Sequence, residues 1–183
     1  MKRQIYTELL ASHKDRIYSH ALYSLRDAHD AEDVTQEVFL KLWDRYEEID
    51  PEKIGGWLTR VTHNLCIDQS RRRKAQRNNF GQPDHEAVDR LVAGAGSLGD
   101  PEHNLRLGQR QKALLDALET LTPETRSVMI MHYFQDMKLH EIGAVLDKSV
   151  SALKVQIHRA RKSLRLVLTA VAEAPPHTQR GTG

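Results

Sequence analysis

The chain has 183 residues, of which 39% are hydrophobic and 28% are charged, and its formal net charge at neutral pH is only +2. This composition is typical of one ordinary globular domain or two small ones, and no apolar run predicts a membrane span or a secretory signal. A single cysteine, Cys66, excludes an internal disulfide framework and a multi-cysteine zinc site, so we expect a reducing, cytoplasmic setting.

The sequence lacks the motifs of common catalytic and cofactor sites. It has no glycine-rich phosphate loop, no HExxH zinc motif and no GxSxG nucleophile elbow. We therefore predict no enzymatic activity, no catalytic residue, no cofactor and no metal site.

The small net charge conceals three strongly charged blocks. Residues 27–50 carry a net charge of −7, residues 51–80 carry +5, and residues 148–165 contain six basic residues and no acid. Basic blocks favour nucleic-acid binding, and an acidic block is suited to a basic protein surface. The alternative for any single block is a solvated helix face.

Apolar residues recur at helical spacing on both sides of a segment rich in glycine and proline, residues 81–101. We predict an all-α protein of two small helical domains joined by a flexible linker. The predicted boundaries are 1–76 for the first domain, 77–105 for an acidic linker, 106–170 for the second domain and 171–183 for a disordered tail.

The first domain is predicted to contain three amphipathic helices. Their apolar stripes are Ile17, Ala21 and Leu25; Val34, Val38 and Leu42; and Ile54, Leu58, Val61 and Leu65. Asp27 is placed to cap the second helix. Phe39 and Trp43 are expected to join the packing of these helices.

A row of carboxylates lies on the predicted second helix. Asp30, Asp33 and Glu37 are spaced by three and four residues, so they share one face, and Lys41 continues the row. Catalysis by paired carboxylates would need a pocket, which nothing in the sequence indicates. The row is suited instead to docking against a basic helix of a partner protein.

The third predicted helix carries an aromatic residue, an amide and a basic residue on one face, because Trp57, Asn64, Asp68 and Arg71 follow helical spacing. Arg60 and His63 flank this face, and Arg72 and Arg73 belong to the basic run that extends the helix. Such a surface can stack an unpaired base, hydrogen-bond its edge and hold its phosphates. The spacing equally allows Trp57 to be a core residue and Asn64 an ordinary surface residue.

The second domain is predicted to end in a helix-turn-helix. Thr122 and Pro123 mark a helix start, a short helix follows at residues 139–146, and Ser149 is placed to cap a helix from Val150 to about residue 168. The predicted duplex-binding set is Lys148, Ser149, Ser151, Ala152, Lys154, Gln156, His158, Arg159 and Arg161. The small Gly143 favours close approach of the two helices. The alternative is a plain helical hairpin with a basic outer face.

Three segments resemble the sigma-70 family of bacterial RNA polymerase sigma factors. Residues 30–43 (DAEDVTQEVFLKLW) resemble the core-binding segment, region 2.2, and residues 57–74 (WLTRVTHNLCIDQSRRRK) resemble the WLxRIxxNLxIDxxRRxK segment of regions 2.3 and 2.4. Residues 118–165 are similar to region 4. With only these two domains and a short linker, the sequence is identified as a member of the extracytoplasmic-function, or group IV, subfamily.

The resemblance implies that the protein binds core RNA polymerase, through its β′ clamp and β subunits, and promoter DNA. An anti-sigma factor or another regulator is a further implied partner. The residues that would face the coiled coil of the β′ clamp are Asp30, Asp33, Gln36, Glu37, Phe39 and Lys41. The acidic linker would thread the RNA exit path of the polymerase.

The same resemblance implies the DNA contacts. Asn64 falls where the family captures a flipped base of the minus-ten promoter element, and the second helix of the helix-turn-helix would bind the minus-thirty-five element in the major groove. The melted strand and its backbone would be held by Arg60, Asp68, Arg71 and Arg72. Ala152 and Gln156 depart from the family pattern SxGTVKSRLHRARK, and could meet a thymine methyl group and an adenine edge.

Two other classes remain open at the level of sequence. An ordinary helix-turn-helix regulator that never binds polymerase would be a dimer on a palindromic site. A helical adaptor would bind no DNA at all. The acidic row favours the sigma factor, because a simple repressor has no use for it. Cys66 is interpreted as a packing residue, with a redox sensor as the alternative.

Overall fold

The computed structural model describes residues 2–77 and 101–173, with side chains at 3–75 and 110–169. Within these ranges every regular element is helical and no strand occurs, so the all-α prediction is confirmed. The α-helices are α1 (Lys2–Leu25), α2 (Ala28–Arg45), α3 (Ile54–Arg77), α4 (Pro101–Glu119), α5 (Pro123–Tyr133), α6 (Leu139–Leu146) and α7 (Val150–Glu173). Short 3-10 turns, Tyr46–Glu48 and Pro51–Lys53, join α2 to α3.

Helices α1, α2 and α3 pack together as the first domain. The predicted stripes of α1 and α2 are buried, as are Ile54 and Leu58 of α3, whereas Val61 and Leu65 are half-buried. Asp27 caps α2 as predicted, because its Oδ1 accepts a hydrogen bond from the Asp30 amide at 2.9 Å. The buried stripes hold the three helices against one core, and the Asp27 cap fixes where α2 begins.

The second domain consists of α4 to α7. Thr122 caps α5 and Pro123 is its first residue, as the sequence predicted. Helix α6 has the predicted bounds, and the inner face of α7 is buried from Leu153 to Leu164. The buried α7 residues are Leu153, Ile157, Ala160 and Leu164.

The turn between α6 and α7 is tight. A Cβ atom at Gly143 would lie 2.7 Å from the Lys148 carbonyl oxygen, so only glycine permits this approach. Asp147 ends α6 in the left-handed region, with φ of 55°, and Ser149 Oγ accepts a hydrogen bond from the Ala152 amide at 3.2 Å. The predicted helix-turn-helix and its serine cap are therefore confirmed.

Two helix ends differ from the sequence-based boundaries. Helix α4 begins at Pro101, inside the segment predicted as linker, and α7 continues to Glu173, beyond the predicted start of the tail. Proline is favoured in the first turn of a helix, so Pro101 marks a start as well as a break. The rest of the predicted linker, 78–100, and of the predicted tail, 174–183, lies outside the described residues.

The two domains pack against each other. Helix α5 contacts α1 and α3, and α6 contacts α3. A Cβ atom at Gly56, on α3, would lie 3.5 Å from Cγ2 of Val145, on α6. The helix-turn-helix domain therefore rests on the side of α3.

Candidate polymerase-binding and DNA-binding surfaces

The outer face of α2 carries the predicted carboxylate row. The side chains of Asp33 and Glu37 are 61% and 49% exposed and lie one helical turn apart. Glu37 pairs with Lys41 at 3.2 Å, and Gln36 is exposed beside them. An exposed ion pair of this kind adds little stability, so the row remains available to a partner.

Two residues predicted for this face have other positions. Phe39 is only 4% exposed and packs against Tyr6 in the core, so it does not lie on the acidic face. Asp30 is largely covered because its carboxylate pairs with the guanidinium of Arg73 from α3. The exposed surface, called the acidic face below, therefore consists of Asp33, Gln36, Glu37 and Lys41.

One cluster of metal-ligating side chains occurs in the described part of the chain. Ligand atoms of His29, Asp30 and Asp33 lie within 4.8 Å of one another. The Asp30 carboxylate already has Arg73 as its partner, and the other two side chains are exposed. A side-chain contact within α2, between His29 Nδ1 and Asp33 Oδ2 at 3.2 Å, accounts for the rest of the cluster.

The side of α3 that carries the aromatic residue and the amide is called the α3 surface below. Trp57 is half-buried, with apolar neighbours in the first-domain core, whereas Arg60, Asn64, Asp68 and Arg72 are exposed. A half-buried indole can support the helix and still present an edge to a base. The arrangement provides an amide, a ring edge and cations along one helix.

Three other residues of the predicted α3 set are held by the protein itself. His63 is buried, and its Nδ1 lies 2.7 Å from Oγ of Ser127 on α5. Arg71 donates to Glu124 of the second domain at 3.1 Å. The Arg73 guanidinium pairs with the carboxylates of Asp27, at 2.5 Å, and of Asp30, and it also donates to a backbone carbonyl. Arg73 therefore joins α3 to the start of α2.

The outer face of α7 is open to solvent. The exposed members of its predicted set, together with the turn before it, are Lys148, Ser149, Ser151, Ala152, Lys154, His158, Arg159 and Arg161. The basic side chains project from the exposed outer side of a helix whose opposite side is buried. This is the geometry that a recognition helix needs in a major groove.

Gln156 is the half-buried member of that set. Its Nε2 donates to Oγ1 of Thr125 at 3.0 Å, and Thr122 Oγ1 donates to the same oxygen at 3.0 Å. Thr125 holds one end of the Gln156 amide. This role of Thr125 was not predicted, because the sequence shows Thr125 only as a residue in the first turn of a helix.

Buried polar residues at the centre of the molecule were also missed. His20, Arg26, Arg126 and Ser127 are all buried. Arg126 donates to the carbonyl oxygens of Leu118 at 3.0 Å and Ser24 at 2.6 Å, among others. Buried charges need such partners, so Arg126 joins the end of α4 to the end of α1.

Cys66 is a packing residue. Its side chain is buried in the first-domain core, and burial raises the pKa of the thiol to about 12. A thiol that stays protonated and lacks solvent access is a poor nucleophile. The geometry therefore supports the packing interpretation over a redox sensor.

Within residues 2–77 and 101–173, no helix combines the length and apolar character that crossing a lipid bilayer would require.

Comparison with protein families identifies both domains. Residues 9–76 match the family model Sigma-70 region 2, and residues 111–164 match the model Sigma-70, region 4. The two matches together cover about two thirds of the chain and fall on the helices that carry the acidic face, the α3 surface and the helix-turn-helix.

Two curated relatives match most of the chain. An ECF RNA polymerase sigma factor, SigE of Mycolicibacterium smegmatis, is 35% identical over 158 residues, which cover 86% of this chain and 59% of the relative. SigW of Bacillus subtilis, also an ECF RNA polymerase sigma factor, is 29% identical over 171 residues, with 87% of each chain covered. The chain thus spans a little over half of the first relative and most of the second.

Solved structures share the fold. The sigma factor RpoE of Bartonella quintana, in complex with the anti-sigma factor NepR, has a TM-score of 0.66 at 16% identity and covers 91% of this chain and 98% of its own. CnrH, in complex with the cytosolic domain of CnrY, also has a TM-score of 0.66, at 24% identity, over 92% of this chain and 90% of its own.

A helical domain with an exposed acidic face, followed by a helix-turn-helix domain, is an architecture of DNA-binding proteins. The matches to sigma-70 region 2 and region 4, in that order along the chain, identify the family within this class. The chain belongs to the sigma-70 family of RNA polymerase sigma factors, in the extracytoplasmic-function subfamily.

Proposed function

We propose that the protein is a transcription initiation factor that docks on core RNA polymerase, reads two promoter elements and promotes strand opening in the cytoplasm. The observation that carries this proposal is the combination, in one chain, of an exposed carboxylate pair on α2 and a capped recognition helix that has no acid through residue 165. Each feature alone is common. Together, in the order of sigma-70 regions 2 and 4, they fit a factor that has both a polymerase partner and a DNA partner.

The acidic face is the proposed docking surface for the coiled coil of the β′ clamp. Asp33 and Glu37 offer two carboxylates one turn apart, and Gln36 offers an amide beside them. Complementary charge accelerates encounter and fixes orientation more than it adds affinity. Phe39 contributes indirectly, because its buried ring packs against Tyr6 and supports the helix on which this face lies.

Helix α7 is the proposed reader of the minus-thirty-five element. Lys154 and Arg159 are placed for phosphates, which position the helix without reading sequence. Gln156, held at one end by Thr125, is the proposed base reader, because an amide can make two hydrogen bonds to adenine in the major groove.

The α3 surface is the proposed site for the opened strand of the minus-ten element. Asn64 can donate to and accept from a base edge that has left the stack, and Arg60 and Arg72 can hold phosphates nearby. Extruding a base costs a few kcal/mol, and stacking on an aromatic ring returns about 1–3 kcal/mol per base. Capture of this kind shifts the duplex toward the open form.

A protein regulator of the anti-sigma class is a further proposed partner. The RpoE structure from Bartonella quintana is a complex with the anti-sigma factor NepR. Its fold matches 91% of this chain, which supports a regulator of the same class as a partner here.

The competing function is a helix-turn-helix regulator that does not bind core polymerase. That class predicts a dimer and a palindromic site, with half-sites one helical turn apart. Asp33 and Glu37 would then bind no partner protein, and reversal of their charge would leave function unchanged.

Transcription in a purified system distinguishes the two functions. Core polymerase is mixed with a library of duplex fragments, with and without the protein, and the starts of all transcripts are mapped. A sigma factor yields new starts that share two upstream elements. Duplex binding without any new start would favour the regulator instead.

A further inference from the structure

The two domains meet across an interface that has both apolar and polar contacts. The rings of Tyr23, on α1, and Phe134, at the end of α5, lie 4.7 Å apart. Arg26 of the first domain pairs with Asp116 of α4 at 2.5 Å, and Arg126 of α5 donates to the Ser24 carbonyl of α1 at 2.6 Å. Charged and hydrogen-bonded groups of this kind can be solvated again when the surfaces part. Interfaces between the domains of one chain resemble transient interfaces between proteins, so relative motion of the domains is the default expectation.

At the centre of this interface, two histidines share one hydroxyl group. Nε2 of His20, on α1, lies 2.8 Å from Oγ of Ser127, and Nδ1 of His63, on α3, lies 2.7 Å from the same oxygen. Ser127 is fully buried and comes from α5, in the other domain. The hydroxyl has one hydrogen, so with neutral rings it donates to one histidine and accepts from the other.

The closed arrangement cannot engage both proposed promoter elements. Their centres lie about 25 base pairs apart, or about 85 Å at 3.4 Å per base pair. In the structure α6 packs directly on α3, at the contact between Gly56 and Val145. The connecting residues 78–100 number 23 and could span roughly 80 Å at full extension, which is of the required order.

We propose that the hydrogen-bonded set His20–Ser127–His63 is a latch that holds the two domains closed in the free protein, and that protonation of its histidines releases it. The consequence for promoter binding rests on the proposed function. The latch itself does not, because it concerns only the two domains of this chain.

The surroundings of His20 oppose a positive charge. Arg16, on the same helix, and His63, from α3, face it, and Gln135, in the turn after α5, is the neighbour that favours the charged form. Burial is the largest cause, and it lowers the pKa of His20 to about 3.

His63 has a similar environment. Lys148, in the turn between α6 and α7, and Arg60, on α3, disfavour its protonation, whereas Glu124 of α5 favours it. Burial is again the largest cause and lowers the pKa of His63 to about 4. Both rings are therefore neutral in the closed form at neutral pH.

The linkage gives the direction of the pH effect. In the open form both rings are solvated and titrate near pH 6.5, so below that pH the open form binds more protons than the closed form. The closed form is stable above pH 6.5 and is lost as the pH falls toward 4. Between pH 7.5 and 5.5 the opening constant rises about tenfold for each histidine, and about 100-fold for both.

Distance measurement on the full chain tests the latch. Spin labels are attached to cysteines at Leu40→Cys on α2 and Leu166→Cys on α7, two exposed positions in different domains, with Cys66→Ala to remove the natural thiol. We expect one defined distance at pH 7.5, and an additional, longer population at pH 5.5 with unchanged helical circular dichroism. A single unchanged distance at pH 5.5, or acid opening that coincides with loss of helix, would overturn the proposal.

Variants identify the responsible groups. Ser127→Ala removes the shared hydroxyl and should show the longer distance already at pH 7.5, while His63→Gln should lower the pH response about tenfold. His140→Gln changes an exposed histidine of α6 and is the matched control, for which the full response is expected. An unchanged pH response in both Ser127→Ala and His63→Gln would exclude the latch.

A reversible crosslink separates the latch from the proposed function. Gly56→Cys with Val145→Cys, in the Cys66→Ala background, places two thiols where a disulfide can bridge α3 and α6 in the closed form. Transcription with core polymerase should fall at least tenfold when the pair is oxidised and recover on reduction. Equal activity in both states would overturn the proposal. Inactivity in both, with acid opening intact, would contradict the proposed function and leave the latch supported.

Discussion

The two proposed DNA-binding helices differ in how much of their surface is open. Along α7, basic side chains such as Lys154 and Arg159 are exposed. Along α3, His63 is buried, Arg71 pairs with the second domain, and Arg73 pairs with α2. If the proposed function holds, α7 is preformed for duplex DNA, whereas His63 and Arg71 of α3 become available only when the domains separate.

This asymmetry has a physical reason. Duplex DNA is present before polymerase acts, so a helix that reads it can stand exposed at all times. Unpaired DNA appears only after the complex has begun to open the promoter. A strand-binding surface that is partly covered in the free protein is therefore protected from nonspecific single strands, which bind such surfaces with little sequence preference.

The largest expected effect concerns the acidic face, the proposed docking surface for polymerase, and neither of the two proposed DNA-binding helices. Asp33→Lys with Glu37→Lys reverses the charge of the acidic face, and we expect core binding to become undetectable in a pull-down, because like charges then meet. Circular dichroism should be unchanged. Glu48→Lys with Glu52→Lys makes the same charge change outside this face and should bind normally. Undiminished binding by the first pair would remove the docking role.

The next effect tests whether α7 is open for phosphate contact. Lys154→Ala with Arg159→Ala should weaken duplex binding by about one order of magnitude for every sequence, and should lower the salt slope by about two. Titration of labelled duplex at several salt concentrations measures both quantities. Lys14→Ala, an exposed lysine of α1, is the control. An unchanged salt slope in the double variant would show that other residues contact the phosphates.

The third effect tests the α3 surface. Asn64→Ala should leave core binding and minus-thirty-five duplex binding nearly unchanged, but should reduce promoter opening about tenfold and shift the preferred minus-ten base. Fluorescence of a base analogue in the minus-ten element reports opening. A pre-melted template should recover part of the loss, because the strands are already apart. Normal opening and unchanged preference in Asn64→Ala would show that this amide is an ordinary surface group.

The smallest effect is confined to one base pair. Gln156→Ala should relax preference at a single position of the minus-thirty-five element, by about 1–3 kcal/mol. Thr125→Val removes the hydroxyl that holds the Gln156 amide and should give a fraction of that change, whereas Thr125→Ser should keep the preference. Equal weakening on all sequences would mean that Gln156 does not read a base.

Local signals made much of the fold predictable. The caps at Asp27, Thr122 and Ser149 and the bounds of α6 followed from residue types whose preferred backbone positions are narrow. Gly143 was recognisable because a close helix approach demands the smallest residue. These features depend on a few neighbouring residues, so the sequence contains them directly.

The missed features depend on partners far along the chain. The resemblance placed Phe39 on the polymerase-facing side, whereas the apolar pattern predicted its packing, and its contact with Tyr6 confirms the packing. Arg73 belongs to a run of three arginines, and only its contact with Asp30 makes it structural. Ser127 looks ordinary in sequence, because its two histidine partners lie 107 and 64 residues away.

Strand opening is the central claim, and permanganate reactivity of promoter thymines measures it most directly. On a duplex promoter found by transcript mapping, we predict reactive thymines in the minus-ten element with core polymerase and the protein together, and with neither alone. The thymine reactivity should disappear when the protein carries both Asp33→Lys and Glu37→Lys. This variant should still bind the minus-thirty-five duplex. Stable duplex binding by the protein together with core, but without any reactive thymine, would contradict the account.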